Sequence, residues 1–133
     1  MGRYRESLDT SVLLRLVTGN PPQLYEKAIQ LLSRPNIQFD VADLAIVEIV
    51  YVLEKAFKFG RTDVTNALNA IVNLPNINCN RELFRLALLA YLTRPKLSFV
   101  DCCLTEYTRL NQAESLWTFD KKLATQSDIA KEP

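Results

Sequence analysis

The chain has 133 residues, of which 48% are hydrophobic, and its 16 basic and 15 acidic side chains give a net charge of +1. This length predicts one domain, residues 1–133, and the balanced charge gives no overall preference for nucleic acid or membrane. The chain has no histidine, which excludes Ser/His and Cys/His catalytic pairs and histidine metal sites, so catalysis would depend on carboxylates.

Three cysteines, Cys79, Cys102 and Cys103, show no metal-binding spacing. We interpret them as small buried side chains of a protein in the reducing cytoplasm. The sequence has no uncharged apolar run long enough to cross a membrane, so we expect no membrane association.

Helix signals alternate with short segments of strand character. In chain order we predict a weak strand ending at Leu8, a helix from Pro22, a strand at 37–39, a helix over about 42–59, a helix from Thr62, a strand at 77–79, helices capped by Asn80 and Ser98, a strand at 116–119, and a frayed tail at 126–133. Alternating strands and helices predict an α/β fold with a parallel sheet covered on both faces.

Glu48 is the only charged residue in the apolar stretch from Leu44 to Leu53. On a helix, the residues three and four positions away are all uncharged, so none of them can neutralise its carboxylate. We expect Glu48 to be buried, and an unpaired buried carboxylate costs several kcal/mol. It would therefore need a distant Arg or Lys, protonation, or a shared metal cation.

Three aspartates stand near the predicted starts of helices. In an open parallel sheet, sites form beyond the carboxyl ends of the strands, and Asp9 and Asp120 occupy such strand-to-helix junctions. Asp101 lies in the first turn of the helix that Ser98 caps. Each has a structural explanation too, because Asp9 and Asp120 can be N-caps and Asp101 can complete a capping box. Glu48, in mid-helix, has no such role.

Together, the four acids favour a hard divalent cation, because Mg²⁺ and Mn²⁺ prefer oxygen ligands such as carboxylates and substrate phosphates. Such a cation activates water and offsets charge on a phosphoryl oxygen, which fits phosphodiester hydrolysis. We interpret Asp40 and Asp43 as caps and helix-dipole partners. Glu106 is ambiguous, because it could approach the site from the helix of Asp101, but we expect that it does not.

Four segments together resemble the ordered motifs of PIN domains, and most nearly those of VapC-type toxins of bacterial toxin–antitoxin pairs. They are Leu8-Asp9-Thr10-Ser11-Val12-Leu13-Leu14-Arg15, Glu48 with Tyr51-Val52-Leu53, Ser98-Phe99-Val100-Asp101, and Thr118-Phe119-Asp120-Lys121. The resemblance covers nearly the whole chain. The segment Gly2–Ser7 is more polar than the hydrophobic first strand that is usual in this family.

The resemblance implies a three-layer fold, with a parallel sheet of about four to five strands flanked by helices on both faces. It also implies a Mg²⁺- or Mn²⁺-dependent ribonuclease whose catalytic and metal-binding acids are Asp9, Glu48, Asp101 and Asp120. Polar side chains that help to orient ligands or water would be Thr10, Ser11 and Thr118. Members of the family usually form homodimers and are usually silenced by a VapB-like antitoxin.

RNA binding also requires positive groups near the acids. Arg15, Lys121 and Lys122 follow the acid positions closely enough to contact phosphates, although a basic residue taken singly is more often part of a solvated surface. We expect Trp117 to pack in the core of the last strand rather than to stack on a base.

Three other functions compete with a nuclease. One is a plain helical interaction domain, which would leave Glu48 unexplained. The polar first-strand segment suggests a PIN-fold module that binds RNA or protein without catalysis. A haloacid-dehalogenase-like phosphatase would need a second acid two positions after Asp9, where this chain has Ser11.

Overall fold

The computed structural model describes residues 4–133, so Gly2 and Arg3 of the polar N-terminal segment lie outside the described residues. The described part is a mixed α/β protein in which every strand pairing is parallel, as the sequence predicted. It forms two compact units, divided after Arg81. The single domain inferred from chain length stays a prediction.

The first unit contains β1 (Tyr4–Ser7), α1 (Thr10–Thr18), α2 (Pro22–Leu32), β2 (Ile37–Asp40), α3 (Asp43–Lys55), α4 (Arg61–Val72) and β3 (Ile77–Asn78). The second contains α5 (Arg81–Thr93), whose first residue ends the first unit, α6 (Phe99–Leu110), β4 (Leu116–Trp117), α7 (Lys121–Gln126) and β5 (Ala130–Lys131). Within residues 4–133, no helix is both long and apolar enough to span a membrane.

The first unit has a three-stranded sheet in the order β1-β2-β3. Ser7 lies opposite Asp40, and Asp40 lies opposite Asn78, so the three strands end at the same edge. The ladder continues one residue further, where the Leu8 N–H donates to the Asp40 carbonyl at 2.9 Å. This edge therefore positions the starts of both α1 and α3.

The polar strand β1 lies at one edge of this sheet, and all four of its residues are exposed. Its charges have partners in the same unit: Arg5 pairs with Asp40 at 3.0 Å, and Glu6 pairs with Arg34 at 3.2 Å. An edge strand needs no hydrophobic side chains on both faces, so the strand forms despite its polar sequence.

Helix α3 is shorter than predicted. It ends at Lys55, because the chain turns through Lys58 in the left-handed region (φ 58°) before α4 begins. The cap of α4 is Gly60 rather than Thr62. At the end of α1, Gly19 adopts φ 68°, a conformation that favours glycine, and its N–H caps the Arg15 carbonyl.

The core of the second unit is built on aromatic packing between α5 and the start of α6. Phe99 stacks on Phe84, with ring centroids 6.3 Å apart, and meets Tyr91 edge-on at 5.5 Å. All three side chains are buried. This packing fixes the N-terminus of α6, where Asp101 lies.

The end of the chain differs from the frayed tail expected for residues 126–133. Strand β5 pairs with β4, and the Thr118 N–H donates to the Lys131 carbonyl at 2.9 Å. Ser127 and Ala130 are buried. Composition alone suggested a polar tail, yet its backbone is ordered by the ladder.

Candidate functional site

Two of the predicted acids line one open pocket in the first unit. This pocket, of about 470 Å³, lies at the sheet edge where α1 and α3 begin. Its lining residues are Leu8, Asp9, Thr10, Ala42, Leu44, Ala45 and Glu48. The carboxylates of Asp9 and Glu48 are therefore available to the same ligand.

Asp9 is the N-cap of α1. Its Oδ2 accepts hydrogen bonds from the Ser11 hydroxyl at 2.7 Å and from the Ser11 N–H at 3.3 Å. These hydrogen bonds favour the ionised carboxylate, so the Ser11 hydroxyl above all holds the pKa of Asp9 below its usual value. Asp9 thus stays charged and has a fixed orientation.

The prediction that Glu48 is buried is wrong, because its side chain is exposed. The core stripe of α3 consists of Ile46, Ile49, Val50 and Leu53, and Glu48 lies on another side of the helix. Its outward neighbours Leu44 and Tyr51 are 83% and 61% exposed. Within residues 4–133 it forms no hydrogen bond or ion pair, so its charge is stabilised by solvent.

Asp101 lies at the start of α6 in the second unit, half-buried. Its Oδ2 accepts from the Ser98 N–H at 3.2 Å, and its own N–H donates to the Ser98 hydroxyl at 3.1 Å. This is the capping box that the sequence indicated. Asp101 therefore has a structural role whatever else it does.

Asp120 is the exposed N-cap of α7. Its Oδ1 accepts from the N–H groups of Lys122 at 2.9 Å and Leu123 at 3.2 Å. The Thr118 hydroxyl accepts from the Asp120 N–H at 2.9 Å, which fixes the turn before the helix. The predicted supporting residue thus acts on the backbone of Asp120.

The three aspartates share one feature. Hydrogen bonds within the described residues engage a single oxygen of each side chain: Oδ2 of Asp9, Oδ2 of Asp101 and Oδ1 of Asp120. The second oxygen of each remains available to a cation or to water. Capping and ligand binding are therefore compatible in the same side chain.

The donors in the first-unit pocket suit Mg²⁺ or Mn²⁺. Both acids supply carboxylate oxygens, and Mg²⁺ often takes only one or two protein carboxylates while keeping several waters. In residues 4–133, neither unit by itself brings together three acidic or cysteine side chains that could hold a metal ion. The four-acid cluster stays a prediction.

The predicted phosphate-binding residues have varied surroundings. Arg15 donates to the Asn20 carbonyl at 2.7 Å and, with Lys27, lines a second pocket of about 290 Å³ between α1 and α2. Lys121 pairs with Glu132 at 3.2 Å, while Lys122 is exposed. Their role in phosphate binding stays a prediction.

The prediction that Trp117 packs in the core is wrong. It is 62% exposed, and Phe119, two residues later, is 84% exposed. Strand β4 has one neighbour in its unit, β5, so its side chains are not enclosed as they would be in a covered sheet. No sequence signal indicates this exposure, because aromatic residues in a strand usually pack inward.

Asp40 is not a helix cap, contrary to our interpretation. The N-cap of α3 is Ala42, whereas Asp40 is the last residue of β2. The Asp40 Oδ1 accepts hydrogen bonds from the Asn78 side chain at 2.8 Å and from the Arg5 guanidinium at 3.0 Å. The Asn78 hydrogen bond and the Arg5 guanidinium hold the pKa of Asp40 below its usual value. Asp40 thus ties all three strands together beside the pocket.

Glu106, which the sequence left ambiguous, has an ion-pair partner on its own helix. Its side chain is 13% exposed and lies 3.5 Å from the guanidinium of Arg109, which also pairs with Asp128.

Comparison with known proteins gives two findings. The sequence matches the PIN domain family over residues 7–129, a range that contains all four predicted acids. It is also 28% identical over 97 residues to a VapC ribonuclease of Aquifex aeolicus (strain VF5), and the alignment covers 71% of this chain and 72% of that relative.

Proposed function

Because the chain belongs to the PIN domain family, we propose that it is a metal-dependent ribonuclease that hydrolyses phosphodiester bonds of RNA. The observation that carries this proposal is the open pocket that Asp9 and Glu48 share at the edge of the sheet. The similarity to a VapC ribonuclease supports a nuclease and favours RNA as the substrate.

The residues that would hold a Mg²⁺ or Mn²⁺ ion are Asp9 and Glu48, with Asp101 and Asp120 as further acids. When bound, such an ion lowers the pKa of a coordinated water and offsets negative charge on a phosphoryl oxygen. Asp9, oriented by Ser11, supplies a fixed carboxylate. Glu48 lines the same pocket and has no hydrogen-bond partner within residues 4–133, so it supplies the second carboxylate.

The first test measures cleavage of single-stranded RNA by the purified protein with Mg²⁺ or Mn²⁺, and again with a chelator. We expect cleavage only with metal, and a loss of roughly 100-fold or more in Glu48→Gln, since a neutral amide holds the cation less well than a carboxylate does. Glu26→Gln, which removes an exposed glutamate from α2, is the matched control and should cleave normally. Equal cleavage by Glu48→Gln and wild type would contradict the proposal.

The alternative is a PIN-fold module without catalysis. It is favoured by the capping roles of Asp9, Asp101 and Asp120, which explain these acids without chemistry. Calorimetry with Mn²⁺ separates the two functions: a nuclease should bind the ion, with an affinity that falls in Asp9→Asn. Absence of any binding would support the inactive module.

We also propose that the protein is the toxin of a VapBC-type pair, that it forms a homodimer, and that it acts in the cytoplasm. The similarity to a VapC ribonuclease supports the pairing, and three cysteines that form no disulfide within residues 4–133 suit a reducing compartment. Growth arrest on expression, relieved by a small neighbouring gene, would support the toxin assignment. Light scattering of the purified chain measures its oligomeric state.

A further inference from the structure

Two aromatic side chains lie exposed just before Asp120. Trp117 is 62% exposed and Phe119 is 84% exposed, whereas Phe84, Tyr91 and Phe99 form the core of the same unit. Large aromatic rings usually gain stability by burial, so two neighbouring rings left in water indicate a binding surface.

The backbone that carries these rings is ordered. Between them, the N–H of half-buried Thr118 donates to the Lys131 carbonyl at 2.9 Å, and its hydroxyl accepts from the Asp120 N–H at 2.9 Å. Residues 116–119 alternate between half-buried and exposed, as extended backbone does. The two rings are thus presented outward from a segment tied to β5 and to α7.

Lysines surround the aromatic pair. Lys131 lies opposite Trp117 in the β4–β5 register, Lys121 and Lys122 follow Asp120, and all three are exposed. Lys121 pairs with Glu132, but Lys122 and Lys131 have no ion pair within residues 4–133. Lysine is depleted at protein–protein interfaces, whereas aromatic rings between cationic side chains are typical of surfaces that bind single-stranded nucleic acid.

We propose that Trp117 and Phe119 stack on two unpaired bases of single-stranded RNA, while Lys122 and Lys131 contact its phosphates. The proposal rests on the proposed function, since RNA is the substrate there. Alternate residues of extended backbone are roughly 7 Å apart, so the two bases must be separated from each other, as a flexible single strand allows and a duplex does not. The surface thus selects unpaired RNA beside Asp120.

Trp117 is the only tryptophan of the chain, so its fluorescence reports directly on this surface. The full-length protein, in chelator to prevent cleavage, is titrated with single-stranded oligouridine and with a duplex RNA of the same length. We expect saturable quenching by the single strand, weakened by salt, and a much smaller change with the duplex.

Phe119→Leu should lower the affinity for oligouridine roughly 5- to 100-fold, the range expected for losing one stacked base. Tyr107→Leu, which removes another exposed aromatic ring of the same unit, is the matched control and should bind as wild type does. Unchanged affinity for oligouridine in Phe119→Leu would overturn the proposal. Tryptophan emission that changes with protein concentration but not with RNA would also overturn it, because the rings would then be covered by another copy of the chain.

Cleavage assays separate this proposal from the proposed function. If RNA is cleaved, Phe119→Leu should raise KM more than it lowers kcat, and an unchanged KM would overturn base stacking while leaving the nuclease intact. If the protein quenches with RNA but never cleaves it, stacking stands and the nuclease fails.

Discussion

The two units hold their acids differently. In the second unit, Asp101 and Asp120 are both fixed by hydrogen bonds at the first turn of a helix. In the first unit, Asp9 is fixed in the same way, but Glu48 lies in mid-helix with no partner in the described structure. An exposed glutamate lowers the stability of the fold very little, so burial does not single out Glu48. Its position in the pocket that Asp9 also lines makes it a candidate site residue. The comparison shows that capping accounts for three acids and leaves the fourth without a structural role.

The largest effect on cleavage should come from Asp120→Asn, which removes the charge of the side chain but keeps its ability to cap the helix. Because asparagine caps helices about as well as aspartate, Asp120→Asn should retain the stability of the wild type to within about 0.5 kcal/mol. If Asp120 acts on RNA or metal, cleavage should nevertheless fall roughly 100-fold. Denaturant unfolding and initial cleavage rates measure the two effects, and full activity in this variant would reduce Asp120 to a cap.

A smaller effect is expected at the capping box of the second unit. Ser98→Ala removes the hydroxyl that accepts from the Asp101 N–H, so the free energy of unfolding should fall by about 1 kcal/mol. Urea denaturation checks this value. No loss of stability would mean that the Ser98 hydroxyl does not contribute to capping, and that the bond from the Ser98 N–H to the Asp101 carboxylate is enough to hold this helix start.

In the first unit, Ser11→Ala should raise the pKa of Asp9 toward its usual value, because the hydroxyl is the main group that lowers it. A lowered folded-state pKa stabilises the protein above the unfolded-state pKa, about 4, and this contribution is lost as the pH falls through the folded-state value. The variant should therefore be less stable than wild type at neutral pH, with the difference disappearing in acid. Carboxyl NMR titration measures the shift directly, and an unchanged Asp9 pKa would contradict this account.

The smallest effect on stability should come from breaking an exposed ion pair of β1. Arg34→Gln breaks the ion pair with Glu6, in which both side chains are more than 40% exposed. Exposed ion pairs contribute little to stability, so the free energy of unfolding, measured by thermal denaturation, should change by less than about 0.5 kcal/mol. The rate of RNA cleavage should not change. A larger loss would show that the polar strand β1 depends on its charges.

Local sequence rules predicted the positions that depend on neighbouring residues. Asp9, Asp120 and the pair of Ser98 and Asp101 were expected at helix starts, and the structure has them there, because a cap involves atoms only two or three residues apart. The positions of β2, β3 and β4 followed from short segments of strand character between helix signals, whereas β5 formed where a frayed tail was expected.

Exposure of single side chains could not be predicted in this way. The stretch around Glu48 is apolar on every side, so the sequence does not show which stripe packs inward, and the structure buries Ile46 and Ile49 while leaving Leu44 and Tyr51 in water. Trp117 has a strand sequence typical of a core, yet its strand has one neighbour in its unit. Both outcomes depend on residues distant in the sequence.

The single-oxygen capping of the three aspartates has a consequence for the order of events. Since each helix start needs only one carboxylate oxygen, a ligand can come and go at the other without unwinding the first turn of the helix. Each aspartate is therefore preorganised: its orientation is set during folding, before any cation or substrate arrives. A cation should then raise the melting temperature only through binding to the folded chain, and the metal-free protein should retain its full helix content.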